Sequence, residues 1–214
     1  MNAVILGNGS YTDYEFYKNY LATYPADIII CADGGIKTAL KLGILPNVLL
    51  GDFDSVTKAE IAGFKDKIKI IPFEKRKDYT DVHLCMKYAI ENNHRQITLF
   101  GVLGTRADHS LVNVYLLKYA LDNQANAKIV NEFNEIFLLN NFIRLNGVKN
   151  KTISVLPYTD KIEGICLKGM SYPLVNATMT KENPYGVSNY AVEDTVEINI
   201  SGGTAIIVIT QDNY

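Results

Sequence analysis

The hydrophobic period of this chain changes once along its length, and that change limits the fold more than any single motif does. From residue 1 to about 126, short apolar runs alternate with stretches of helical period. The apolar runs are 3–6, 27–31, 46–50, 68–71, 96–100 and 127–131, with helix-period segments at 13–21, 36–42, 57–64, 82–89 and 110–121. Buried strands joined by helices pack as a parallel sheet covered on both faces. From residue 134 onward no helical period is sustained. Short alternating runs such as E-I-F-L-L, T-I-S-V-L-P, T-V-E-I-N-I and T-A-I-I-V-I-T are broken by Asn-Gly, Asn-Pro and Gly-Gly turns. That pattern belongs to antiparallel strands in a sandwich. The expected fold is therefore α/β, a three-layer parallel-sheet N-terminal domain over 1–126 followed by an all-β sandwich domain over 134–214.

In open parallel sheets, ligands bind beyond the carboxyl ends of the strands, so the residues there carry the functional reading. The third apolar run ends in G-D-F-D-S, placing Asp52, Asp54 and Ser55 at such an edge. Two carboxylates beside a small residue suit a hard divalent cation such as Mg²⁺, and Mg²⁺ commonly accompanies a polyphosphate. A plain strand-to-turn transition would also use Asp and Ser, but acidic strand ends recur. Asp33 is followed by Gly34 and Gly35, which let backbone approach a ligand and open a helix whose free N–H groups suit an anion. The fourth run leads to K-R-K-D-Y-T-D, where three cations meet Asp78, Thr80 and Asp81. Asp78 or Thr80 fits a helix N-cap, with Asp81 in the first turn. The fifth run leads to G-V-L-G-T-R-A-D-H. There Arg106 can grip a phosphate at two points, Asp108 fits an N-cap, and His109 is either a ligand contact or an ordinary first-turn histidine. His83 and His94 have no metal-ligand partners nearby in sequence and read as structural. The G-x-G at Gly7 and Gly9 lacks the third glycine of a dinucleotide fingerprint.

Composition removes other classes. A net charge of −2 leaves no electrostatic footprint for nucleic acid. Three scattered cysteines, Cys31, Cys85 and Cys166, form neither a zinc pattern nor a disulfide framework and fit a reducing cytoplasm. No signal peptide or membrane span is expected. Periodicity thus leads to a Mg²⁺-dependent nucleotide or phosphate enzyme without specifying the reaction.

The motifs A-D-G-G at 32–35, G-D-F-D-S at 51–55, K-D-Y-T-D at 77–81, G-T-R-A-D-H-S-L-V-N at 104–113 and G-V-S-N at 186–189 resemble the thiamine pyrophosphokinase (thiamine diphosphokinase) family in order and spacing. The ordered set of five is specific and spans nearly the whole chain. The resemblance implies transfer of the terminal diphosphate of ATP to the hydroxyethyl group of thiamine, releasing AMP. It implies a homodimer whose active site is shared between the α/β domain of one subunit and the sandwich of the other. It makes Asp52, Asp54 and Asp81 the Mg²⁺ cluster, with Asp33 nearby. Thr80, Arg106, Asp108, His109 and Asn113 would hold nucleotide and diphosphate, and Ser188 and Asn189 the aminopyrimidine of thiamine. Asp54, Asp81 and Arg106 are the expected catalytic residues; Gly34, Ser55 and Asp78 join the expected nucleotide contacts. Two departures stand out: Thr105 replaces a usual glycine, and the chain has no tryptophan to stack on thiamine. An aliphatic side chain from 205–209, or Tyr190, would have to serve. The rival readings are a Mg²⁺-dependent phosphohydrolase on the same acidic rim and a non-catalytic thiamine or nucleotide sensor.

Overall fold

A computed structural model describes residues 1–54, 56–57, 63–64, 67–74 and 78–210. The chain divides into two compact units, Met1–Glu132 and Phe133–Tyr214.

The first unit holds strands β1 (Asn2–Leu6), β2 (Ile28–Ala32), β3 (Val48–Gly51), β4 (Lys69–Pro72), β5 (Gln96–Phe100) and β6 (Asn126–Val130). Its helices are α1 (Tyr14–Thr23), α2 (Gly35–Leu42), α3 (Asp81–Glu91) and α4 (Ala107–Asp122). The helix expected at 57–64 falls largely outside the described residues. The strands lie parallel in the order β6-β5-β1-β2-β3-β4. The chain first builds outward from β1 to β4, then returns to β1's other side with β5. This reversal between β1 and β5 is the topological switch point at which open α/β sheets bind ligands.

Both faces of this sheet are buried, as continuous apolar strands require. Val4 and Leu6 of β1 join Tyr17 of α1 and Ile36, Ala39 and Leu42 of α2 in one cluster. Helix α3 packs against β1, β2 and β3 with Leu84, Cys85, Met86 and Ala89 buried. Local chemistry sets the helix ends. The Asp13 carboxylate accepts the N–H groups of Glu15 and Phe16 and starts α1, and Gly43 closes α2 at φ 73°, where a left-handed residue is needed. Thr80, one of two expected caps, starts α3 by accepting the N–H of His83 at 3.2 Å.

One expectation is corrected. Helix α4 begins at Ala107, with Arg106 at the N-cap position and no side-chain cap, so Asp108 is not a cap. It lies in the first turn, where its carboxylate pairs with Arg106 and also takes the N–H of His109.

The second unit holds β7 (Asn134–Leu139), β8 (Phe142–Asn146), β9 (Thr152–Pro157), β10 (Lys161–Lys168), β11 (Leu174–Thr180), β12 (Asn189–Tyr190), β13 (Thr195–Asn199) and β14 (Ala205–Thr210). They form two antiparallel sets, β12-β9-β14-β7 and β11-β10-β13-β8. Ile153, Val155, Ala205 and Ile207 from the first set share one buried cluster with Ile162, Ile165, Leu167, Val196 and Ile198 from the second. A strand side chain alternates faces, so one inward row from each set fills the space between two sheets. No helix among the described residues is long and apolar enough to cross a membrane.

Candidate active site

The carboxyl ends of β1, β2, β3 and β5, with the start of α3, surround a cavity of about 550 Å³. Its wall at the switch point is backbone. The two loops there are laced together: Gly9 N–H donates to Gly101 O at 2.6 Å and Ser10 N–H to Leu103 O at 3.0 Å. A Cβ on Gly9 would come within 2.5 Å of the carbonyl oxygens of both Gly101 and Leu103, so no other residue fits. Gly35 is tighter still, since its Cβ would meet Leu6 O at 2.0 Å. That approach seats the first turn of α2 directly on the end of β1. Asn113, buried on α4, donates its amide to Val102 O at 2.7 Å and holds the β5 loop from behind.

Three carboxylates converge on this cavity. Asp33, Asp52 and Asp54 each offer an oxygen within 4.8 Å of the others. Asp33 is 7% exposed and sits at φ 44°, a left-handed conformation that Asp tolerates better than most side chains. Its N–H donates to Leu50 O at 2.9 Å, which locks the turn after β2 against β3. Its Oδ1 is buried and has no hydrogen-bond partner among the described residues. Asp52 is half-buried and accepts the N–H of Asp54 at 3.2 Å. Three like charges this close repel, and an orphaned buried carboxylate oxygen is costly. A hard divalent cation with oxygen ligands answers both conditions, so the residues present fit Mg²⁺.

The opposite side of the cavity is suited to anions. Helices α2 and α4 both lack a side-chain cap among the described residues. In α2 the N–H groups of Ile36 and Lys37 already donate to Asp33 O and Gly34 O, so an anion there would meet the N–H groups of Gly34 and Gly35. Arg106 lines the cavity and is gripped by Asp108 through Nε at 3.2 Å and Nη2 at 2.5 Å. This two-point contact pulls the exposed Asp108 carboxyl down to about 2 and raises the guanidinium further. The pair thus keeps its charges across the physiological range.

The remaining expected residues are distributed as follows. Thr80, Asp81 and His109 line the same cavity; Asp81 stands in the first turn of α3, outside the three-carboxylate cluster. Gly34, the N-cap of α2, is buried beside the Asn8 side chain. Asp78 is exposed, and neither it nor Asp108 lines the cavity. Ser55 and the Lys75-Arg76-Lys77 run lie outside the described residues. Ser188 and Asn189 belong to the second unit. Ser188 is exposed at φ 56°, with its N–H on Ser154 Oγ at 3.0 Å. Asn189 is buried, and its amide is committed to backbone: Oδ1 accepts the N–H groups of Tyr172 and Tyr190, and Nδ2 donates to Tyr172 O. Sequence reasoning passed over Asn8, Gly9 and Tyr79, all of which line the cavity. For Gly9 the G-x-G after β1 was the available signal.

Comparison with known proteins identifies relatives of the whole chain. A relative in Bacillus subtilis described as thiamine pyrophosphokinase is 28% identical over 186 residues, spanning 86% of this chain and 87% of that protein. The crystal structure of thiamine pyrophosphokinase from Bacillus subtilis superposes with a TM-score of 0.87 at 26% identity, covering 99% of this chain and 100% of that one. That of thiamin pyrophosphokinase from Geobacillus thermodenitrificans gives a TM-score of 0.84 at 24% identity, over 100% and 99% of the two chains, and speaks to the fold alone. The family model for the thiamin pyrophosphokinase catalytic domain matches residues 19–130, and that for the vitamin B1 binding domain of the same enzymes matches 141–204. With more than half its length matched by the first and much of the rest by the second, this chain belongs to the thiamin pyrophosphokinase family.

Proposed function

We propose that the diphosphate transfer to thiamine that defines the family runs here from ATP with Mg²⁺, in the cavity at the carboxyl ends of β1, β2, β3 and β5. The observation that carries the reading is the convergence of Asp33, Asp52 and Asp54, with a buried oxygen on Asp33 that has no hydrogen-bond partner among the described residues. These three would hold Mg²⁺, which when bound neutralises charge on phosphate oxygens and orients them for displacement. Asp33, which the family resemblance set nearby, joins Asp52 and Asp54 in this ligand set, with Asp81 on the same cavity wall.

The chain's own groups do the rest. The open N-termini of α2, at Gly34, and of α4 offer backbone N–H groups to the polyphosphate. Arg106, oriented by Asp108, presents its remaining donors to the phosphate that gains charge. Thr80 and His109 stand on the cavity wall as nucleotide contacts, while Asn113 holds the loop that shapes it. The thiamine hydroxyl attacks the β-phosphorus: its oxygen–phosphorus bond forms, the bond from the β-phosphorus to the bridging oxygen of AMP breaks, and AMP leaves with that electron pair. The hydroxyl proton is lost late in a loose transition state, and we assign its acceptance to Asp81. Ser188 and the loop that Asn189 secures contact the aminopyrimidine. The enzyme works as a cytoplasmic homodimer; Leu111, Val112 and Tyr115, 57%, 39% and 58% exposed on the helix that carries Asp108 and His109, support cover by a second copy, and cysteines outside any disulfide support the compartment.

The test is incubation with ATP, Mg²⁺ and thiamine. Thiamine-dependent formation of AMP and thiamine diphosphate, abolished by a chelator, is expected. Phosphate release without thiamine would instead make the chain a phosphohydrolase, and tight binding without turnover would make it a sensor.

A further inference from the structure

We propose that Tyr79 is the stacking face for the purine ring of the nucleotide donor, and so a specificity-determining residue. This rests on the diphosphate-transfer reading and deepens it. The carboxylates and glycine backbone serve metal and phosphate, and the guanidinium of Arg106 is engaged at two points by Asp108. Among the described residues, the rings on the cavity wall are those of Tyr79 and His109. Tyr79 is the braced one. It immediately precedes Thr80, the cap that fixes the start of α3. Its ring meets His83 edge to face, with centroids 4.8 Å apart and planes at 89°. His83 in turn meets Tyr119 of α4 at 4.6 Å. Three rings thus run from the cavity rim back to α4, with α3 between.

Lys87 Nζ lies 5.8 Å from the centroid of Tyr79, over one face of the ring. Tyr79 is nevertheless 46% exposed, which leaves ring surface for a ligand. The packing behind it has an unusual component: His83 Nε2 is buried without a hydrogen-bond partner among the described residues. An aliphatic side chain would fill that space without stranding a polar atom. A flat ring there instead sets the tilt of Tyr79. An aromatic face at a polyphosphate site takes a heteroaromatic base, and a purine overlaps it more than a pyrimidine does.

The experiment measures binding by wild type, Tyr79→Ala, Tyr79→Leu and Tyr79→Trp of three magnesium complexes: ATP, CTP and tripolyphosphate, which has no base. KM for ATP and for thiamine is measured alongside. Wild type is expected to prefer ATP to CTP. In Tyr79→Ala and Tyr79→Leu, ATP affinity should fall about 5- to 150-fold, the range of one base stack. Tripolyphosphate affinity should stay within about twofold, the ATP-to-CTP ratio should shrink, and Tyr79→Trp should restore it. Equal losses for ATP and tripolyphosphate would reduce Tyr79 to a structural role and overturn the stack. So would undiminished ATP affinity in both small variants, or a rise confined to the KM for thiamine. Each of these leaves the transfer reading intact, whereas a wild type that binds none of the three complexes and forms no AMP overturns both.

Discussion

Asp33 and Asp54 share a cluster but differ in burial, and their substitutions should differ accordingly. Asp54 is exposed at the cavity mouth, so Asp54→Asn should fold normally and lower kcat by two or more orders of magnitude, the scale of a lost electrostatic stabiliser. Near-normal turnover in the folded variant would remove it from the site. Asp33 is buried at φ 44°, and Asn accepts that backbone as readily as Asp. Asp33→Asn relieves repulsion among three carboxylates. Melting of the metal-free variant should therefore occur no lower than in wild type, while the rise in Tm on adding Mg²⁺ should disappear; a lower metal-free Tm would contradict this. Asp52 and Asp54 were legible as a pair because they adjoin in sequence. Asp33 was expected near that pair; that its oxygen comes within reach of theirs depends on β2 lying beside β3 with Asp33 N–H on Leu50 O. Asp108 misled for a related reason: its residue type suits a cap, but Arg106 two positions earlier competes for the carboxylate.

At the level of elements, the entry to α1 is secured from far along the chain. Glu132, just past β6, accepts the N–H groups of Thr12 at 2.6 Å and Asp13 at 2.8 Å, the Thr12 hydroxyl at 3.0 Å and the Tyr17 hydroxyl at 2.8 Å. Burial pulls this carboxyl upward, but its hydrogen-bond donors outweigh that and leave it below the usual glutamate range. A depressed folded value contributes stability that is present above the unfolded value and is lost as pH falls through the folded one. Glu132→Gln, which turns a donor toward donors, should cost about 1–3 kcal/mol by urea denaturation at neutral pH. The gap between variant and wild type should narrow below about pH 4, the ordinary carboxylate range; a gap constant with pH would refute the ionised clasp. Periodicity revealed the parallel strands because both their faces are buried. It missed β11 and β12. Strand β11 carries Val175 at 87% exposure, Asn176 at φ 51° and irregular register against β10, so its alternation is broken, and β12 has only two residues.

For the whole molecule, the change of hydrophobic period near residue 130 foretold one helix-covered parallel sheet and one sandwich, because each architecture buries its strands differently. The assembly was not legible from period, since surface residues obey no such rule. Sedimentation should give a mass near twice the 23.9 kDa of one chain, and a monomer at micromolar concentration would refute the homodimer. The strand order has its own effect during synthesis. Strand β1 emerges before both of its neighbours, and the second of them, β5, ends at Phe100. A nascent chain halted before that point leaves an apolar strand with one bare edge, open to pairing with other polypeptides. The interval in which the ribosome reads from β2 to β5 is therefore when this polypeptide most needs a chaperone, and slow codons placed there should lower its soluble yield more than the same codons placed after residue 132.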